Sequence, residues 1–97
     1  MNTYVVLMKL TDLGIRAVQD TPERIEAGIE NLEALGGKLI GFYVTLGQYD
    51  YVAIAEAPNE AVVMRFLLGL GSAGYVRTTT MKALTRTEFE EIVKKLP

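Results

Sequence analysis

Residues 3–9, TYVVLMK, and residues 50–56, DYVAIAE, carry apolar side chains on both faces of a strand, whereas a strand half-exposed to water alternates apolar with polar. A chain built on such strands needs cover for both sides of its sheet. The 97 residues supply few helices to provide it. The helical periodicities are confined to three places. Ile25, Ile29, Leu32 and Leu35 repeat at helical spacing after Thr21-Pro22, read as N-cap and first-turn proline, and Gly36-Gly37 ends the run. Val63, Phe66, Leu67 and Leu70 line one side of a second helix capped by Asn59 and broken by GLGSAG at 69–74. TRTEFEEIVKKLP closes the chain as a short helix with Thr85 or Thr87 as N-cap.

Between these helices lie four strand patterns: 3–9, 38–46, 50–56 and YVRTTTMKAL at 75–84. GQY at 47–49 joins the second to the third at hairpin length. LTDLGIRAVQD reads as a long connection with a turn at Asp12 to Gly14. The order is βαββαβ plus a C-terminal helix, in one domain spanning 1–97 with no linker or repeat. Two right-handed βαβ crossovers then give a four-stranded antiparallel sheet in the order 4-1-3-2 with helices on one face, an α+β ferredoxin-like arrangement. The uncovered face is expected to meet the sheet of a second copy, closing a dimeric α/β barrel. On the third strand Val52 and Ile54 oppose Tyr51, Ala53 and Ala55; on the second, Ile40, Phe42 and Val44 oppose Gly41, Tyr43 and Thr45. The bulky sets are assigned to the helices, and the tyrosine-bearing sets to the open face.

Composition removes whole classes of chemistry. There is no cysteine, hence no disulfide, thiol nucleophile or thiolate metal site, and no histidine, hence no imidazole ligation and no Ser/His or Cys/His relay. No metal or other cofactor is expected. A net charge of −2 without a basic cluster argues against nucleic acid as a partner. The N-terminus lacks a basic leader and no segment reaches the about 20 apolar residues of a membrane span, so a cytoplasmic protein with no membrane partner is expected.

Topology brings three connections, 10–21, 47–49 and 71–74, to one end of the sheet, where a small molecule would bind if one does. Asp50 offers a general base or an ammonium partner, against the commoner role of a turn cap. Tyr43, Tyr49 and Tyr51 offer stacking and hydroxyls, against packing and subunit contact. Arg77 can take a carboxylate bidentately, against an ion pair across strands or subunits. Asp12 is a turn former that topology lets approach Asp50, a pairing that would invite a divalent cation. GLGSAG follows a helix instead of opening one, so it is not a phosphate loop.

Taken together, TDLGIR, GFYVTLGQYDYVAIAEAP and GSAGYVRTTTMKALT resemble the GYD domain family over essentially the full chain, with Gly47, Tyr49 and Asp50 as the Gly-Tyr-Asp pattern. The resemblance implies the dimeric α/β-barrel superfamily. The hairpin and following helix are also similar to the effector-binding domain of leucine-responsive regulators, in which a like turn lies near an amino-acid site between subunits; the DNA-binding domain of those regulators has no counterpart in these residues. Other relatives are small cofactor-independent monooxygenases and isomerases that act in the cavity between helices and sheet. The expectation is therefore a homo-oligomeric, non-enzymatic module for small-molecule binding or assembly, with a monooxygenase- or isomerase-like enzyme as the alternative.

Overall fold

The structure, a computed structural model, describes residues 1–97. Strand β1 (Asn2–Leu10) pairs antiparallel with β3 (Tyr51–Ala57) on one side and β4 (Val76–Ala83) on the other, and β2 (Lys38–Val44) flanks β3. The order β2-β3-β1-β4 is the one expected. Helices α2 (Thr21–Ala34) and α3 (Glu60–Ala73) are the two crossovers, and α4 (Arg86–Lys94) ends the chain. The fold is ferredoxin-like. No helix is long and apolar enough to cross a membrane.

The side chains do not divide between the faces as expected. Tyr51, Ala53 and Ala55 of β3 are buried beside Tyr4, Val6 and Met8 of β1, in the register Met8–Tyr51, Val6–Ala53, Tyr4–Ala55. This is the helix-facing side. Val52 and Ile54, assigned above to the helices, lie with Leu7 and Val5 on the open side. The reason is volume. Ile25, Ile29, Leu32 and Phe66 supply most of the bulk between helices and sheet, and the small residues of β3 opposite them leave part of that space open.

On β2 a bulge between Leu39 and Gly41 inserts one residue and shifts the alternation. Leu39 and Phe42 pack against the core, Gly41 and Tyr43 pair with Ile54 and Val52 on the open side, and Ile40 is half-exposed at the bulge. The expected set Ile40, Phe42 and Val44 is thereby split.

The connection 10–21 is also more regular than expected. Thr11 caps a short helix, α1 (Asp12–Arg16), its Oγ1 accepting from the Gly14 amide at 3.0 Å, and a 3₁₀ turn at Val18–Asp20 runs into α2. Asp20, not Thr21, is therefore the N-cap residue of α2, and Thr21 lies in its first turn with Pro22. Helix α3 continues through Gly69 and Gly71 to Ala73 and stops at Gly74, whose φ of 87° only glycine adopts readily. Each interior glycine costs a helix about 1 kcal/mol relative to alanine, less than the packing of one turn on a sheet returns. Asn59 caps α3 as expected, accepting from the Val62 amide at 3.0 Å.

Helix α4 begins with a capping box: Thr85 Oγ1 accepts from the Glu88 amide and Glu88 Oε1 from the Thr85 amide, at 3.1 and 2.8 Å. These bonds hold the Glu88 carboxyl below its ordinary pKa. The helix makes no extended contact with the rest of the chain, and Phe89, Ile92 and Val93 are exposed along it.

Candidate functional site

The three connections meet at one end of the sheet, and backbone groups hold them there. The Thr11 amide donates to the Tyr75 carbonyl at 3.0 Å, and the Thr11 hydroxyl that accepts from Gly14 also donates to the Gly74 carbonyl. The approach is close enough that a Cβ on Gly14 would overlap the Tyr75 carbonyl oxygen, so position 14 admits only glycine. The hairpin tip turns through Gly47 at φ 111°, where Thr45 donates its amide to the Asp50 carbonyl and its hydroxyl to the Tyr49 carbonyl.

Asp50 ties this hairpin to β1. Its amide donates to the Met8 carbonyl at 2.9 Å and its Oδ2 accepts from the Leu10 amide at 2.8 Å. The carboxylate caps a neighbouring strand instead of its own turn. Arg77 donates to the Gly71 carbonyl at 2.9 Å, satisfying the C-terminal end of α3, and makes no ion pair. Asp12 is exposed in the first turn of α1, and nowhere do three acidic residues gather as metal ligands would.

The tyrosines separate. Tyr49 is half-buried at the tip, and Tyr43 is 60% exposed on the open face. Tyr51, expected beside Tyr43, faces the helices instead, its ring 5.4 Å from that of Phe42. There it lines a cavity of about 110 Å³ under the loop end, between α2 and the sheet. The cavity arises where Gly28, on the same side of α2 as Ile25 and Leu32, stands opposite Ala53 and Ala55. Fourteen of its seventeen lining residues are hydrophobic, which leaves few places for an acid or base.

One lining residue, Arg24, escaped the reading of candidate sites, while Tyr75 was expected beside the loops at this end. Arg24, in the first two turns of α2, places its guanidinium 4.1 Å from the centroid of the Tyr75 ring. Its Nη2 donates to the Ala17 carbonyl and to Thr21 Oγ1, at 2.9 and 3.1 Å. The signal available in the sequence was Gly28: a glycine inside the apolar stripe of a helix marks missing volume, and Arg24 lies one turn before it.

The fold recurs in solved structures. The protein TTHA0845 from Thermus thermophilus superposes with a TM-score of 0.56 at 24% identity, covering 88% of this chain and 95% of that one. Hypothetical protein PHS023 from Pyrococcus horikoshii does so with a TM-score of 0.56 at 23% identity, covering 89% and 93%. In sequence, the chain is 40% identical over 85 residues to a Thermus thermophilus protein named glutamine synthetase and cystathionine beta-lyase binding protein, covering 87% of this chain and 90% of that protein. The profile of the GYD domain matches residues 4–93, and the chain belongs to the GYD domain family.

Proposed function

We propose that the chain is a homo-oligomeric binding module that pairs through its open sheet face and docks on protein partners. The observation that carries this reading is the face itself: Val5, Leu7, Val52, Ile54 and Met81 share it with Tyr43, and no element of the chain covers them. Only nine of 97 residues are buried, few for a chain with 49% hydrophobic residues. A second copy facing the first supplies the missing cover on that side.

The Thermus relative supports a protein partner, since its name describes binding to two enzymes. Among the polar candidates, Asp50 and Arg77 act as structural ties, and Asp12, Tyr43 and Tyr49 remain at or near the surface that a partner would meet. Static light scattering of the purified chain is expected to give a dimer or a multiple of it. Ile54→Lys, at the centre of the open face, is expected to give a folded monomer by circular dichroism. A wild-type monomer, or an oligomer unchanged by Ile54→Lys, overturns the assembly. Interferometry against purified glutamine synthetase and cystathionine beta-lyase tests the partner class.

A further inference from the structure

We propose that the cavity beneath the loop end is a binding site for a small apolar carboxylic acid, with the ring or branched chain of the acid between α2 and the sheet and its carboxylate on Arg24. This goes beyond the assembly proposed above and does not depend on it.

The first support is the cavity. Its volume of about 110 Å³ is comparable with the ~150 Å³ of an apolar cavity that stays dry and accepts benzene. It therefore suits one ring or one branched chain. Ile29, Leu32, Leu39 and Ala55 are among its lining residues, and none of their side chains offers a hydrogen bond to fix a polar ligand.

The second support is Arg24, an independent observation. Every other lysine and arginine of the chain is exposed, whereas Arg24 is half-buried. It is absent from the three ion pairs, Lys82–Glu60, Arg86–Glu90 and Lys94–Glu91. A cation withdrawn from water is ordinarily compensated by an acid, and Arg24 has only a carbonyl, a hydroxyl and the face of Tyr75. Both of its hydrogen bonds run through Nη2, so the N–H groups of Nε and Nη1 are left without partners, and each can give a carboxylate oxygen a single charge-assisted hydrogen bond. Those bonds and the Tyr75 ring also hold the side chain in place, which lowers the entropic cost of binding.

Benzoate is the probe, followed in methyl-labelled protein by two-dimensional NMR. Saturable shifts are expected at the methyl groups of Ile25, Ile29, Leu32 and Leu39, with toluene binding more weakly than benzoate. Arg24→Gln is expected to weaken benzoate about tenfold or more, the loss of a charge-assisted pair. Gly28→Leu is expected to abolish binding, because a Cβ at position 28 meets no atom within 4 Å and the larger side chain grows into the free volume. Ala55→Leu fills the same space from the sheet and serves if Gly28→Leu fails to fold. Absence of saturable shifts at these methyl groups with millimolar benzoate overturns the site. So does benzoate binding that survives both filled-cavity variants in folded protein. Toluene binding as tightly as benzoate, or an Arg24→Gln variant that binds unchanged, overturns the acid as the ligand class. Light scattering on the same samples reads the assembly separately, so loss of benzoate binding in an intact oligomer leaves that proposal standing.

Discussion

Beneath α2 and α3, strand β3 presents Tyr51, Ala53 and Ala55; to the opposite side it presents Val52 and Ile54. The side with the smaller aliphatic residues is the protein's own core, and the side with the larger ones has no cover within the chain. Residue size therefore does not identify the core face of a strand. What identifies it is the size of whatever stands opposite: Ile25, Ile29 and Leu32 leave room for alanines, while a flat partner such as another sheet leaves room for valine and isoleucine.

The sharpest way to break this comparison is a charge at neighbouring positions of β3. Ala53→Asp puts an unpaired carboxylate in the core and is expected to cost about 3–5 kcal/mol, shifting the urea midpoint heavily or abolishing the fold. Ile54→Lys, one residue along, is expected to leave the monomer folded and change only its association. Equal denaturation of both variants would show that the two faces do not differ as described.

A smaller effect is expected at the loop end, which belongs to neither face. Asp50→Ala leaves the Leu10 amide without its acceptor and is expected to cost about 1–3 kcal/mol. Amide exchange at Leu10 and Thr11 should accelerate first. If exchange there is unchanged, the carboxylate does not hold the hairpin to β1.

The smallest effect concerns α4. The Glu88 carboxyl lies below its ordinary pKa because of the Thr85 hydrogen bonds. Its contribution to the helix is therefore complete above the ordinary carboxylate range and is lost as pH falls through the lowered value. Acid is expected to fray the first turn of α4 before it disturbs the sheet, a sequence that Cα chemical shifts along a pH titration will follow. Glu88→Gln should remove that pH dependence, whereas Thr85→Ala, which keeps the backbone amide that donates to the carboxylate, should only reduce it.

The legible parts of the fold were those decided locally. Asn59 and Thr85 are caps because each hydroxyl or amide reaches an amide three residues on, and the strand order follows from the handedness of two crossovers. The faces of β3 were not legible, because both are apolar and the arbiter is a helix some twenty residues distant. The bulge at Ile40 hid in an unbroken apolar run, where one extra residue changes no local preference. Asp50 was recognisable as a cap from its turn, but its acceptance of the Leu10 amide depends on a strand forty positions away. Arg24 was not legible, since its burial comes from Tyr75 and from connections that the sequence presents as a loop.

The bulge on β2 also bears on how far copies of this protein can propagate. A straight edge strand is a template on which further strands add without limit, toward filaments. Here the edge at β2 is bent out of register at Leu39–Gly41, and the edge at β4 carries the cations Arg77 and Lys82. Ribbon growth is disfavoured at both ends of the sheet, so the face-to-face association proposed above would stop at a particle of finite size.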